Sequence, residues 1–258
     1  MKLGELRVLL EERPEDPYMN LSIEEALFIS RCRDDGDDIL RIWRNKNAVV
    51  IGVFQVPEEE VDLEYAKNNG IAITRRFTGG GAVYHDLGNI NFAFSTKVPE
   101  GEKGGVDYLF NYLINGAIYA LEKLGFSPKK ENYNDIIIDG KKIIGIAGSI
   151  RRNCAFIHGA MLYNTNLSVL SSVLKVPLKK LAEKKVSSVK YRVTTISQIR
   201  NDIRERDVVN ALIYGFMRVK DLKGFYLDFL SEKEFDLSLE LYKNKYSTYE
   251  WNYERKRP

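Results

Sequence analysis

The spacing of hydrophobic and polar residues along the chain predicts short strands separated by amphipathic helices. Helical periodicity, with apolar residues three and four positions apart, covers residues 20–33, 61–69 and 106–124. The second and third of these helices stop before Gly70 and Gly125, where a left-handed backbone favours glycine. Between the helices, the strand-like apolar runs are "RVLLEE", "ILRIWR", "AVVIGV" and "INFAFS".

The middle third of the chain contains the hairpin pattern "NDIIIDGKKIIGIAGSIRR". Asp139 and Gly140 stand between two apolar runs, and a type I′ turn needs a positive φ at both of its central residues. Strands thus occur singly between helices and also in adjacent runs. We therefore predict an α+β fold with mixed, largely antiparallel sheets flanked by helices.

No repeat, low-complexity tract or linker rich in Pro, Gly or Ser divides the 258 residues, so the sequence predicts one domain over 1–258. Towards the end of the chain, "SEKEFDLSLELYKNKY" predicts a helix. Ser231 stands at the N-cap and Glu234 follows three residues later, which is the pattern of a capping box.

Composition narrows the functional class. The hydrophobic content of 44% suits a soluble globular protein with a sizeable core. Thirty-nine Lys and Arg against 36 Asp and Glu give a net charge of +3, which does not indicate a nucleic-acid partner but is compatible with an anionic ligand or an acidic protein. No apolar run is long enough for a signal core or a membrane span, so we expect a cytoplasmic protein without a membrane partner.

The segment "RRFTGGGAVYHDLGNINFAFS", residues 75–95, combines two arginines, three glycines and a histidine. Glycines 79–81 remove every side chain from a turn, so backbone N–H groups can approach phosphate or carboxylate oxygens, with Arg75 and Arg76 as forked donors beside them. A tight hairpin with solvated arginines explains the same residues. The spacing is neither that of a P-loop nor that of a dinucleotide-binding loop.

The "DGKK" turn places two charged residues on one face of the predicted hairpin. With a two-residue loop, Ile137 faces Lys142 and Asp135 faces Ile144, so Asp135 and Lys142 are diagonal neighbours roughly 7 to 8 Å apart. Lys141 lies on the opposite face and is expected to be solvated. Lys142 is either solvated as well, or it is a cation placed where phosphate and acyl oxygens gain negative charge. The small residues of "GIAGS" leave room for a ligand beside the strand.

The chain contains two histidines, and each allows two interpretations. His85 either supports the ligand site structurally or contacts the ligand, and it is not an obvious general base. His158, in "IHGAML" on a predicted inner strand, is either a core histidine with a hydrogen-bond partner or a binding residue.

Four motifs follow one another along the chain: "RRFTGGGAVYHDLGNINFAF", "NDIIIDGKKIIGIAGS", "IHGAMLYNTNLSVLSSVLKVP" and "KKVSSVKYRVTTI". Together they resemble the lipoate-protein ligase family, which is related in fold to biotin-protein ligases, octanoyltransferases and class II aminoacyl-tRNA synthetases. The resemblance runs nearly from end to end. Four motifs in the family's order are far more specific than any one of them.

The resemblance implies a reaction in two steps. Lipoate reacts with ATP in the presence of Mg²⁺ to give lipoyl-AMP, and a lysine of an acceptor protein then displaces AMP. Lys142 is implied as the catalytic cation, and Asp135 as the residue that serves Mg²⁺. The implied ATP and lipoyl-AMP positions are Arg75, Arg76, Gly79, Gly80, Gly81, Ala82, Val83, His85, Asn89, Asn134, Asp135, Lys142, Gly145, Ala147, His158 and Ala160.

The later lysine-bearing segment allows two interpretations. Lys185 stands where the family's loop would cover the adenylate, but the run "LKKLAEKK" is also what a solvated helix face looks like.

Three alternatives remain. An octanoyl- or lipoyltransferase works through a thioester on an active cysteine without ATP, but Cys32 and Cys154 do not match the positions used by those families and are interpreted as buried or incidental thiols. A biotin ligase would carry an Arg-Gly-Arg-x-x-x-Gly-Arg loop, which the sequence lacks. A non-catalytic acyl-binding or regulatory protein would not need Arg76, Asp135 and Lys142 together.

The resemblance also implies protein partners. The acceptors in this family are lipoyl-domain proteins, namely the E2 components of 2-oxoacid dehydrogenases and the H protein of glycine cleavage. Single-chain members continue into a C-terminal accessory domain that has no counterpart after "KYSTYEWNYERKRP", so we expect this domain to be a separate polypeptide. The closely spaced aromatic and basic residues of this last segment suggest the contact surface.

Overall fold

The computed structural model describes residues 4–33, 36–99, 105–175 and 193–255. Within these ranges, the strands form an eight-stranded and a three-stranded sheet. The strands are β1 (Glu5–Leu9), β2 (Asp38–Trp43), β3 (Asn47–Ile51), β4 (Ala72–Arg75), β5 (Val83–Asp86), β6 (Asn89–Lys97), β7 (Lys129–Glu131), β8 (Asp135–Ile138), β9 (Lys141–Arg151), β10 (Cys154–Leu162) and β11 (Gly224–Asp228).

The large sheet has the order β11-β1-β2-β6-β10-β9-β8-β7, and the small sheet the order β4-β3-β5. In the large sheet β1 is parallel to β11 and β2, while the other neighbours are antiparallel. In the small sheet β3 is parallel to β4 and antiparallel to β5. The predicted α+β class with mixed, largely antiparallel sheets is confirmed.

Helices cover both faces of the large sheet. The helices of the described ranges are α1 (Pro17–Arg33), α2 (Pro57–Glu60), α3 (Leu63–Asn68), α4 (Asn115–Lys123), α5 (Leu167–Val173), α6 (Ile196–Ile199), α7 (Glu205–Val219), α8 (Glu232–Leu241) and α9 (Tyr249–Asn252). Of these, α3, α5 and α9 contact strands of the small sheet. Two π-helical segments, Tyr108–Leu113 and Tyr242–Tyr246, precede α4 and follow α8. No helix in the described ranges has both the length and the apolar content to cross a membrane.

The helix boundaries follow local chemistry. The first helix begins at Pro17 and not at residue 20, because Asp16 accepts a hydrogen bond from the Met19 amide (3.0 Å) and proline suits the first helical position. The stretch predicted as one helix over 106–124 is divided between a π-helical segment and α4. Gly70 (φ +60°) and Gly125 (φ +85°) follow their helices in the left-handed conformation, as predicted.

Strand β6 shows how the fold separates its two faces. Phe92 and Phe94 point to the face covered by α4 and α7, where both rings pack on Phe216 of α7 with centroid distances of 5.4 and 4.7 Å. The alternate residues Asn89 and Asn91 point to the opposite face and are buried. Asparagines on a buried sheet face need polar partners, so this face is where a polar site is expected.

The β8–β9 hairpin confirms the predicted turn but corrects its register. Asp139 (φ +49°) and Gly140 (φ +74°) form the turn, and Ile137 faces Lys142 as expected. A β-bulge between Ile136 and Ile137 then shifts the register by one residue, so that Asp135 faces Gly145 and not Ile144. The side chains of Asp135 and Lys142 still lie on one face of the hairpin, where they form an ion pair with 2.6 Å between Lys142 Nζ and Asp135 Oδ1.

The C-terminal region corrects another expectation. The capping box of Ser231 and Glu234 is present. Tyr246 and Trp251, however, are buried at 0% and 3% exposure and pack with residues of α1 and β2, whereas Tyr249 is 62% exposed. Most of the aromatic character of this segment therefore serves the core and not a contact surface, because the chain folds back over the small sheet.

Candidate functional site

A cleft lies between the small sheet and the face of the large sheet that carries α1. It contains about 560 Å³ of space between protein atoms, part of it open to solvent. The predicted site residues that line the cleft are Arg76, Gly80, Gly81, Ala82, Val83, His85, Asn134, Lys142, Gly145, Ala147, His158 and Ala160. Lining residues that the sequence did not single out are Leu21, Glu24, Trp43, Val50, Asn91, Ile146 and Gly159.

The strand register gives the cleft a direction. Trp43 in β2 faces Asn91 in β6, which faces Ala160 in β10. Ala160 faces Gly145 in β9, which faces Asp135 in β8. With about 4.8 Å between neighbouring strands, this row spans roughly 19 Å across the sheet. The floor of the cleft therefore leads from an aromatic end at Trp43 to a charged end at Asp135.

The charged end contains Lys142. Its Nζ lies 2.6 Å from Asp135 Oδ1, and the two side chains are 33% and 21% exposed, so the ammonium group remains accessible from the cleft. A Cβ added at Gly145 would lie 2.8 Å from Lys142 Nζ, which shows how closely the lysine side chain lies over this glycine. Asn134 is held beside it, because its Nδ2 donates to the Ile146 carbonyl (2.8 Å).

Arg76 organises the glycine loop. Its guanidinium is 4% exposed and donates to the carbonyls of Gly79 (2.7 Å) and Gly81 (2.8 Å), and also to Val50. Burial lowers the pKa of Arg76 to about 10, so it stays charged at neutral pH. The N–H groups of residues 79–81 donate to no described residue, and Gly80 and Gly81 line the cleft. With its carbonyls held by Arg76, the loop has free amide donors for an anion.

Four predicted site residues do not line the cleft: Arg75, Gly79, Asn89 and Asp135. Two of them contact a residue that lines the cleft. Asp135 forms the ion pair with Lys142, and Asn89 Nδ2 donates a hydrogen bond to Asn91 Oδ1 (2.6 Å). The guanidinium of Arg75 donates to carbonyls of the β3–α2 connection and of α9, including Gln55 and Asn252. The arginine therefore attaches the C-terminal helix to the small sheet.

His158 lies in a buried hydrogen-bond network that reaches the glycine loop. Its Nδ1 is 2.8 Å from Glu24 Oε2, and its Nε2 is 2.7 Å from Thr78 Oγ1. Glu24, 1% exposed, also accepts from Trp43 Nε1 (2.8 Å), and Thr78 accepts from Arg76. His158 is thus a core histidine with partners that also lines the cleft.

His85 lies at the aromatic end, with its ring centroid 5.9 Å from that of Trp43. It is 4% exposed, and Asn45 Nδ2 is 3.2 Å from its Nδ1. Burial lowers the pKa of His85 to about 3, and the positive charge of Arg76 contributes to the shift. The imidazole is therefore neutral at physiological pH and does not act as a base that titrates near pH 7.

The low pKa of His85 predicts acid lability. The unfolded chain takes up a proton on this residue below pH 6.5, whereas the folded chain does so only near pH 3, so stability falls as the pH falls. Compared with His85→Gln, we expect the wild type to lose about 2 kcal/mol more of its free energy of unfolding between pH 7 and pH 5. Urea titrations at both pH values measure this difference, and equal losses in the two proteins would contradict it.

The cysteines do not take part in the cleft. Cys154 is buried, and burial raises the pKa of the Cys32 thiol to about 12, which keeps it protonated and poorly nucleophilic. Among the described residues, no group of three or more His, Cys, Asp or Glu side chains could hold a metal ion. Lys185, the candidate for the adenylate loop, and the run "LKKLAEKK" lie outside the described residues.

Comparison with known proteins identifies the family. A profile described as "Lipoyl protein ligase A/B catalytic domain" matches residues 16–217. Lipoate-protein ligase A subunit 1 of Thermoplasma acidophilum is 40% identical over 257 residues, which cover 95% of each chain. The chain therefore belongs to the lipoyl protein ligase A/B catalytic domain family, and the resemblance seen in its motifs is confirmed.

Solved structures of similar proteins support the same family. The bi-partite lipoate protein ligase of T. acidophilum, studied with its E2 lipoyl domain, has a TM-score of 0.89 and 40% identity, with 99% of this chain and 98% of that chain covered. A T. acidophilum protein with bound lipoic acid has a TM-score of 0.84 and 38% identity, covering 96% and 99%. A lipoate-protein ligase A bound with ATP has a TM-score of 0.85 and 39% identity, covering 96% and 98%.

Proposed function

We propose that this chain activates lipoate with ATP to lipoyl-AMP and transfers the lipoyl group to a lysine of a lipoyl domain. The observation that carries the proposal is the combination, in one cleft, of the accessible Lys142 ammonium with the free amides of Gly80 and Gly81, opposite an apolar end at Trp43. This arrangement suits an activated carboxylate with an apolar tail. Relatives that bind lipoic acid and ATP support it.

In the first step, a carboxylate oxygen of lipoate attacks the α-phosphorus of ATP, the bond to the pyrophosphate oxygen breaks, and pyrophosphate leaves. In the second step, the neutral ε-amine of the acceptor lysine attacks the acyl carbon, AMP leaves as the acyl–oxygen bond breaks, and the new amide nitrogen loses its extra proton to water. Negative charge gathers in both steps on oxygens of the acyl phosphate. Lys142 Nζ stabilises that charge, the amides of the glycine loop orient the phosphate, and the apolar end fixes the tail.

Mg²⁺ fits this site as a partner of the ATP phosphates. It usually binds through one or two carboxylates together with phosphate oxygens, and Asp135 supplies one carboxylate beside Lys142. When bound, the ion would neutralise phosphate charge. Lys142 would act through its positive charge, and the glycine-loop amides through hydrogen bonds.

The relatives suggest the protein partners. Since the similar T. acidophilum ligase is bi-partite and is described together with its E2 lipoyl domain, we propose a lipoyl domain as the acceptor and a second, smaller polypeptide as the accessory subunit. Specific acceptors such as E2 components or the glycine cleavage H protein belong to this proposal. Tyr249, the exposed aromatic residue of α9, is a candidate contact for the second subunit.

The alternatives are less well supported. A transferase that forms a thioester needs a reactive cysteine at its site, and neither Cys32 nor Cys154 lines the cleft. A binding protein without activity has no need for the arrangement of Lys142 over Gly145.

The proposed function is tested by mass spectrometry of a lipoyl domain incubated with the purified chain, lipoate, ATP and Mg²⁺, with and without candidate second subunits. We expect the mass of one lipoyl group to appear and to depend on ATP. Supplied lipoyl-AMP tests the transfer step separately. A lipoyl domain that stays unmodified in every combination, including with lipoyl-AMP, would overturn the proposal.

A further inference from the structure

The aromatic end of the cleft contains a buried donor without a partner. His85 Nε2 makes no hydrogen bond to any described residue, although the side chain is 4% exposed and lines the cleft. Leaving a buried polar group unsatisfied costs about 1 to 3 kcal/mol. A ligand atom that accepts a hydrogen bond at this position would remove that cost.

The direction of the hydrogen bonds behind His85 is determined by an arginine. The Arg41 guanidinium, fully buried, donates to Asn20 Oδ1 (2.6 Å), and a guanidinium can only donate. Asn20 Nδ2 therefore donates to Asn45 Oδ1 (2.8 Å), which leaves Asn45 Nδ2 to donate to His85 Nδ1 (3.2 Å). Because Nδ1 accepts, the proton of the neutral ring is on Nε2, and His85 presents an N–H group to the cleft.

This N–H group lies far from the charged end. Trp43, the ring beside His85, is separated from Gly145 by three strand spacings, or roughly 14 Å. Leu21, Val50 and Val83 surround the same end of the cleft. A ligand whose carboxylate lies at Lys142 would therefore place the far end of its tail here, and not its carboxylate.

We propose that the His85 Nε2–H group donates to a sulfur atom of the dithiolane ring and so selects lipoate over octanoate. The inference rests on the proposed function, since it assumes that the tail of the acid lies in this cleft. Octanoate has the same eight-carbon backbone but ends in a methyl group, which cannot accept a hydrogen bond. Sulfur is a weak acceptor, so the selection is a moderate one. Asn91 Nδ2, also buried and without a partner in the described chain, is a second donor at this end.

The test compares three acids in calorimetric titrations of the purified chain without ATP. These are lipoate, octanoate and 5-cyclopentylpentanoate, which keeps a five-membered ring but replaces sulfur by carbon. We expect lipoate to bind about five- to tenfold more tightly than either carbon acid, because a buried donor loses its partner with the analogues. Equal binding of lipoate and the cyclopentyl acid would show that shape alone is recognised and would overturn the inference.

Two variants of His85 and one control variant test whether this residue causes the preference for lipoate. His85→Phe keeps an aromatic ring without the N–H group and is expected to bind all three acids about equally. His85→Gln, whose amide nitrogen keeps a donor, is expected to retain the preference. Lys141→Ala, on the exposed side of the hairpin, should leave it unchanged. An undiminished preference in His85→Phe would contradict the inference, whereas failure of the wild type to bind any of the acids would remove the proposed function as well.

Discussion

Replacing Lys142 with alanine is expected to reduce adenylate formation by about 10² to 10³, because a group that meets charge developing in the transition state typically contributes about 2.7 to 4 kcal/mol. Lys142 Nζ is the ammonium group that the β8–β9 hairpin places over the cleft. The loss should appear in ATP–pyrophosphate exchange stimulated by lipoate. Binding of lipoate to the same variant should change much less, because the tail is held at the other end of the cleft.

The fold of this variant should be preserved. The partner left behind, Asp135, is 21% exposed and can be hydrated, and partly exposed ion pairs contribute little to stability. Lys141→Ala is the matched control, since it removes the neighbouring lysine from the exposed side of the same hairpin and should leave the exchange rate unchanged. Near-normal exchange by a folded Lys142→Ala protein would exclude the role assigned to this lysine.

Replacing Gly80 with valine is expected to abolish measurable binding of lipoyl-AMP. Gly80 has a φ of +94°, which a β-branched residue rarely adopts, and an added Cβ would lie 2.9 Å from Arg76 Nη2. The loop would have to change shape and separate from the arginine that holds its carbonyls. Since its amides are the proposed phosphate donors, binding should be lost while most of the core remains intact.

Gly79→Val is the control for this change. Its φ is not in the left-handed region, and the atom nearest to an added Cβ is a ring carbon of Phe54 at 4.0 Å. We expect this variant to retain binding within a few-fold. Calorimetry with a non-hydrolysable analogue of lipoyl-AMP measures both proteins, and circular dichroism reports whether each has folded. Comparable affinities of the two variants would refute the importance of the Gly80 conformation.

Local features of this chain could be predicted because they depend on neighbouring residues. The Asp139-Gly140 turn and the glycines that follow two of the helices need positive φ angles, which is a property of single residues. The family motifs around the three glycines and Lys142 were also recognisable from residue order alone. The β-bulge at Ile143 in β9 was not, because it has no characteristic residue and arises from how two strands pair.

The cleft itself depends on contacts between distant segments. Glu24 lies in a helix that is otherwise mostly buried, and only its contacts with Trp43 and His158 reveal its place below the glycine loop. The two arginines are adjacent in sequence and alike in type, yet Arg75 bonds to the C-terminal helix and Arg76 to the loop.

The amino-acid sequence was sufficient for the α+β class, the turns and the family, since these follow from periodicity, backbone preference and residue order. The functions of individual polar side chains depended on the tertiary structure. Whether a buried polar group donates or accepts depends on its hydrogen-bond partners. For His85, the position of the ring proton is determined by hydrogen bonds that lead through Asn45 and Asn20 to Arg41. These hydrogen bonds connect residues from a helix, two strands and a loop, so they form only when the chain has folded.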